Sequence, residues 1–126
     1  MNDFTHIMAQ HNDLGRWGET TAASFLLEKG FKIIAKNYRN WQSEIDLIVT
    51  KDEMLVFVEV KTRTGTAFGM PEEFVNATKA KLIMRAAEQY IFDADWEHDV
   101  RFDIVSILIL PDGSTDVRHI EDAFSR

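Results

Sequence analysis

Four residues in the middle of the chain have the types and spacing for metal-assisted acid–base chemistry. Glu44 and Asp46 stand two apart in Ser43-Glu44-Ile45-Asp46-Leu47-Ile48, and Glu59 and Lys61 do the same in Val56-Phe57-Val58-Glu59-Val60-Lys61. Side chains alternate faces along a strand. Glu44 should therefore share a face with Asp46, and Glu59 with Lys61, while Ile45, Leu47, Val58 and Val60 face the other way. A hairpin centred between Asp52 and Glu53 would set Asp46 opposite Glu59 and Glu44 opposite Lys61. Directly opposed residues have Cβ atoms about 4.5–5.5 Å apart; a bulge would shift this register.

Two carboxylates at that distance repel, and a shared proton, a basic side chain or a divalent cation must relieve them. Hard oxygen ligands suit Mg²⁺ or Mn²⁺. Such an ion polarises a phosphate and lowers the pKa of a bound water. Lys61 could orient that water, help deprotonate it, or balance charge on phosphorus. The competing reading is a set of cross-strand ion pairs on a solvated sheet face, each worth under about 1 kcal/mol.

The elements that must position these residues follow from periodicity. Residues 13–29 read as a helix, with Asp13 as cap, Leu14, Trp17, Thr21 or Ala22, Phe25 and Leu26 on one face, and Gly30 at its end. Strands follow at 31–38, 44–50 and 54–61, with a turn at Lys51-Asp52-Glu53. Residues 64–71 hold two glycines and a proline and read as a loop. A helix at 78–92 carries Leu82, Ile83, Ala86, Tyr90 and Ile91 as its apolar stripe. Strands at 100–110 and 115–120 flank a Pro111-Asp112-Gly113-Ser114 turn. The order α-β-β-β-α-β-β describes an α/β fold, a mixed sheet flanked by helices. Residues 1–12 lack periodicity and read as a mobile tail, leaving 13–126 as a single domain.

Composition narrows the function classes. The 126-residue chain has no cysteine, which excludes disulfides, thiolate metal sites and a Cys nucleophile. No apolar run approaches the ~20 residues of a membrane helix, and the first residues do not resemble a signal peptide; a cytoplasmic protein is expected, with no membrane partner. The net charge of −7 argues against nucleic acid when taken whole. Its distribution changes that: residues 28–85 carry 10 basic against 8 acidic side chains, and residues 86–126 carry 3 against 10.

The ordered set Gly15-Arg16-Trp17-Gly18-Glu19 with Ala22, Asn37-Tyr38-Arg39, Glu44-Ile45-Asp46-Leu47-Ile48, Phe57-Val58-Glu59-Val60-Lys61-Thr62-Arg63, Lys79 and Arg101-Phe102-Asp103 resembles the YraN family of predicted endonucleases. That family is related to Holliday-junction resolvases within the restriction-endonuclease-like nucleases, whose signature is D…ExK. The resemblance runs from Gly15 to Ile107. It implies a restriction-endonuclease-like fold and Mg²⁺- or Mn²⁺-dependent cleavage of DNA, branched or otherwise structured, with a homodimer as the working form. It implies that Asp46 and Glu59 are metal ligands, joined by the Val60 carbonyl, that Lys61 is the catalytic lysine, and that Glu19 completes the metal shell. Glu19 also reads as an acid favoured by the helix dipole. Glu44 is either a group supporting the ligands from behind or the ion-pair partner of Lys61. One departure stands out: Ser43 replaces the family's usual glycine ahead of Glu44.

Arg63, Lys79, Arg39, Arg16 and Lys81 are candidate phosphate contacts, each against the alternative of solvated surface charge. Trp41 could stack on a base or pack at a sheet edge; Trp17 reads as core. The loop after residue 64 reads as a connector, with a lid over substrate as the alternative. His6, His11, His98 and His119 read as surface residues, and Asp103 as an in-strand acid needing a partner, which could support the site from the neighbouring strand. Two rival functions remain: a non-catalytic nucleic-acid-binding module, and a protein-interaction domain using the acidic C-terminal part.

Overall fold

The computed structural model describes residues 3–65 and 69–125, with side chains from Asp13 onward except Phe74. Met1 and Asn2 of the expected tail, residues 66–68 of the expected loop, and the side chains of His6 and His11 lie outside the described residues. The elements are α1 (Asp3–Glu28), β1 (Lys32–Asn40), β2 (Ser43–Lys51), β3 (Met54–Thr64), a 3₁₀ turn (Pro71–Phe74), α2 (Ala77–Asp93), β4 (Asp99–Ile109) and β5 (Thr115–Ile120). The expected element order holds, apart from the added 3₁₀ turn.

The five strands form one mixed sheet in the order β1-β2-β3-β4-β5. β3 and β4 are parallel, joined through α2, and the other neighbours are antiparallel. Helices cover both faces. Ala22, Ala23 and Leu26 of α1 pack with Leu47, Val49, Val56, Val58, Val105 and Ile107. On the opposite face Ile83, Ala86 and Ala87 of α2 pack with Ile45, Ile48, Leu55, Phe57 and Phe102. β3 is thus buried on both faces over Leu55–Glu59, which explains its near-continuous apolar run.

Two turns follow from local sequence. Gly30 takes φ +95° where the N–H of Phe31 reaches the Leu26 carbonyl and that of Gly30 the Leu27 carbonyl. This is the double closure of a helix end that a residue with no Cβ permits. Asp52 and Glu53 both have positive φ, as a two-residue hairpin of primed type requires.

Helix α1 begins at Asp3 rather than at Asp13, because neither Gly nor Pro interrupts residues 3–13. Asp13 does not cap it; its carboxylate pairs with Arg16 at 3.3 Å. Trp17 is 40% exposed rather than core. The buried stripe runs instead through Gly18, Ala22 and Leu26, since an added Cβ at Gly18 would collide with the Thr62 hydroxyl. That close approach of α1 to β3 turns residue 17 out to the flank. Leu82, expected on the α2 stripe, is also partly exposed.

Candidate metal and nucleic-acid site

The site lies where β2 and β3 separate. Their ladder keeps the expected register from Lys51 opposite Met54 to Leu47 opposite Val58, and ends there. β2 stays beside β1 as far as Ser43 opposite Asn40, while β3 stays beside β4 as far as Thr64 opposite Ile109. The result is a fork with Asp46 on one limb and Glu59, Val60 and Lys61 on the other.

The expected pairing of Asp46 with Glu59 is therefore not a ladder pair. Instead the Asp46 carboxylate accepts a hydrogen bond from the Val60 N–H at 2.8 Å. The side chain closes a gap that a strand carbonyl would otherwise close. Alternation is also broken: Ile45 packs against α2 and Leu47 against α1, although they are two apart in one strand. In an extended strand the N–H and C=O of a residue point to the same side, so the Val60 carbonyl faces the fork as well.

Glu59 is 4% exposed. Its Oε1 lies 3.8 Å from Lys61 Nζ and 3.6 Å from Lys79 Nζ. Its Oε2 is buried with no hydrogen-bond partner, a costly condition for a carboxylate oxygen. Burial pushes the Glu59 carboxyl above its ordinary value, while Lys79 and Lys61 pull it down. Burial, with the neighbouring Glu59 charge, pushes Asp46 up to about 7, against the Val60 hydrogen bond. The two carboxyls also lie close enough to share a proton, so burial disfavours having both ionised unless further positive charge is brought in.

Glu19 comes to the same place from α1. Its carboxyl is raised by partial burial and by the Asp46 charge. Asn37 has φ +53°, a conformation Asn tolerates better than most residues. The amide orientation that satisfies its neighbours directs its nitrogen to Glu19 Oε2 at 3.1 Å and Glu44 Oε1 at 2.9 Å. Glu44 does not pair with Lys61. It lies opposite Arg39, whose guanidinium is 3.6 Å away. With the ladder ended at Leu47, nothing brings Glu44 to the Lys61 limb.

Ser43 causes no strain, since its φ is not positive. Its hydroxyl donates to the Leu82 carbonyl of α2 at 2.9 Å. Lys79 is seated by the start of α2, where the Asn76 side chain accepts the Lys79 N–H.

The donor set fits a hard divalent ion. Two carboxylates and a backbone carbonyl face one gap, and one carboxylate oxygen there is buried without a partner. Among the described residues no three His, Cys, Asp or Glu side chains form a ready-made cage. Mg²⁺ does not need one, since it commonly keeps waters and takes one or two carboxylates plus substrate phosphate.

The basic candidates divide. Arg63 and Lys61 line a pocket of about 170 Å³ with Leu14, Glu19, Val60 and Thr62, and the Arg63 guanidinium donates to the Thr62 carbonyl. Arg39 flanks Glu44. Lys79 faces Glu59 directly. Arg16 is held on the exposed side of α1 by Asp13, and Lys81 is exposed on α2.

The model of the family described as "Uncharacterised protein family UPF0102" matches residues 18–107. The chain belongs to the UPF0102 family. It is 40% identical over 117 residues to the UPF0102 protein of Flavobacterium psychrophilum, covering 93% of this chain and 98% of the relative. It is 43% identical to the UPF0102 protein of Syntrophomonas wolfei (90% and 99% covered). The UPF0102 protein of Bacteroides thetaiotaomicron is 42% identical (93% and 96%). The matched span of this UPF0102 chain contains Glu19, Asn37, both limbs of the fork, and Lys79.

Away from the fork, the surface reading of His119 is corrected, and the partner expected for Asp103 is found. His119 is not a surface residue: its side chain is 3% exposed, with Nε2 2.7 Å from Asp103 and its ring edge-on to Phe25 and Phe31. Asp103 is fully buried and also holds Arg101 at 2.8 and 2.9 Å and the Asp122 N–H at 3.0 Å. Burial opposes its ionisation, but the His119, Arg101 and Asp122 hydrogen bonds outweigh it and hold the carboxyl below its ordinary value. Asp103 therefore pins β5 and the segment after it to β4. His98 is exposed, as expected. Asn37 and Gly18 were not assigned roles from sequence, although an Asn inside a strand and a Gly inside a helix were both visible signals.

Proposed function

We propose that this chain is a restriction-endonuclease-like nuclease that hydrolyses phosphodiester bonds in DNA, branched or otherwise structured, with Mg²⁺ or Mn²⁺ as cofactor. The observation that carries this is the buried, partnerless Oε2 of Glu59 beside an Asp46 carboxyl pushed up to about 7. Buried carboxylate charge in that gap is what a divalent cation would relieve, and the cation would in turn hold an anionic phosphate.

Asp46, Glu59 and the Val60 carbonyl would hold the ion, which when bound polarises the phosphate and lowers the pKa of its water. Asp46 also fixes the limb carrying Glu59, through the Val60 N–H. Lys61 and Lys79 stand in for part of the missing positive charge at Glu59. Lys61, two residues along the same strand, holds its ammonium at the fork, where it orients the attacking water and balances charge on phosphorus. With an ion held at Glu59, the partly exposed Lys79 ammonium would be available to a DNA phosphate. Glu19 and Glu44, bridged by Asn37, keep the Asp46 limb in position. Arg63 and Arg39 meet the backbone on either side, and the acidic surplus of residues 86–126 lies outside the fork.

The test is cleavage of end-labelled duplex, flap and four-way DNA in Mg²⁺ or Mn²⁺, against chelator, for wild type, Asp46→Ala and Lys61→Ala. Metal-dependent products from wild type and none from either variant are expected. Binding that is equal in chelator and metal, with no product from any DNA, would replace catalysis by the binding-module reading.

A further inference from the structure

A second feature lies on the same edge of the molecule and plays no part in the chemistry above. Trp41 is 97% exposed in the two-residue loop between Asn40 and Ser43, which pair with each other. Its φ is +58°, a conformation that is costly for a bulky aromatic residue and that concentrates at functional positions. Behind it lies a cleft of about 280 Å³, lined by Trp41, Gln42, Ser43, Leu82, Arg85 and Ala86. This is near the lower end of small-ligand sites, which start at about 300 Å³. The hydrogen bond from Ser43 to the Leu82 carbonyl ties the loop to α2, so the indole stands on a fixed base.

We propose that Trp41 and this cleft form a nucleobase subsite, in which an unpaired base of the substrate strand stacks on the indole and Arg85 meets the adjoining phosphate. The proposal rests on the reading of the fork as a DNA site. Geometry joins the two. β2 runs from the Trp41 loop to Asp46, five residues on, a span of about 17 Å at strand rise. α2 runs from Lys79, at Glu59, to Arg85, at the cleft, a span of about 9 Å at helix rise. The cleft therefore lies within about five stacked base steps of the scissile position, at 3.4 Å each. Charge selects the occupant. Arg85 lines the cleft beside the indole, a cation next to an aromatic face, which suits a polyanion carrying aromatic rings. Stacking is indifferent to base identity, so the subsite recognises an unstacked base, as at a branch, flap or overhang.

The experiment measures binding of the full-length chain in chelator to a labelled duplex with a single-stranded overhang, and to the same duplex blunt-ended. Wild type, Trp41→Ala and Trp41→Phe are compared. Trp41→Ala should weaken overhang binding by roughly tenfold or more, and Trp41→Phe by no more than about threefold, because a phenyl ring still stacks. Blunt-duplex binding should change less than about twofold. Overhang DNA should quench the fluorescence of wild type but not of Trp41→Ala. Equal overhang affinity for wild type and Trp41→Ala overturns the proposal, as does a variant that alters only self-association in sedimentation. Absence of any wild-type binding overturns it too. Metal-dependent cleavage without a Trp41 effect sinks this subsite and leaves the nuclease reading; a Trp41 effect without cleavage does the reverse. Because Trp41 is so exposed, unchanged thermal unfolding of the variants should accompany every outcome.

Discussion

Replacing Asp46 by Asn should make the metal-free protein more stable at neutral pH while removing its metal site. Asp46 moves from an ordinary value of 3.8 to about 7 through burial and the Glu59 charge. A carboxyl whose folded pKa is raised binds more protons folded than unfolded, so stability falls as pH rises between the two values and levels off above the upper one. Here the fall runs from about pH 3.8 to about pH 7. Glu59 and Glu19 shift the same way. Asp103 shifts the other way, and its contribution is lost only below its ordinary value of 3.8. Three units correspond to about 4 kcal/mol. Water at the open fork relieves part of that, and an Asn carbonyl can still accept the Val60 N–H. A gain of about 1–3 kcal/mol for Asp46→Asn at pH 8 is therefore expected. At about 3–6 °C per kcal/mol for a chain of this size, it is readable as a rise in Tm. The assay is thermal unfolding from pH 5 to 8, in chelator and in Mn²⁺. The Tm difference between variant and wild type should grow as pH rises toward 7. Mn²⁺ at about a hundredfold over Kd should add about 2.7 kcal/mol to wild type and nothing to the variant. A variant less stable than wild type at pH 8, with a difference independent of pH, would refute the claim that Asp46 is strained by charge.

Further expectations follow from other contacts. Lys61→Ala should lower the cleavage rate by about 10²–10⁴-fold, with Mn²⁺ affinity measured by calorimetry retained. Gly18→Ala should cost about 1–3 kcal/mol through overpacking against Thr62, and adding Thr62→Ala should return part of that loss in denaturant unfolding. Asp103→Ala should cost about 3–5 kcal/mol, because it strands Arg101 and His119 without their shared partner; Asp103→Asn should cost less in the same assay.

How much was legible in the chain differs from element to element. Apolar runs and turn residues are local signals, and they placed five strands, the second helix and both tight turns within a residue or two, except that β3 runs three residues past its expected end at Lys61. The start of α1 was missed because residues 3–12 form helix without an apolar stripe to announce it. The register near the Asp52-Glu53 turn was legible because a two-residue loop determines it. It held to Leu47 and Val58 and no further, because a ladder's end depends on what else competes for its hydrogen bonds, here the Asp46 side chain.

Residue types and their spacing already specify which side chains could meet a metal and a phosphate, that Asp46 and Glu59 come close across one hairpin, and that the elements build a mixed sheet between helices. Those are consequences of chain-neighbour geometry. Packing sets the rest: Glu44 answers to Arg39 rather than Lys61, Lys79 reaches Glu59 from α2, Asn37 bridges Glu19 to Glu44, His119 is buried on Asp103, and Trp41 stands free in solvent. Each depends on how elements distant in sequence pack. Close-packed helices at Gly18 and at the α2 face set those distances, and alternation along a strand carries no information about them.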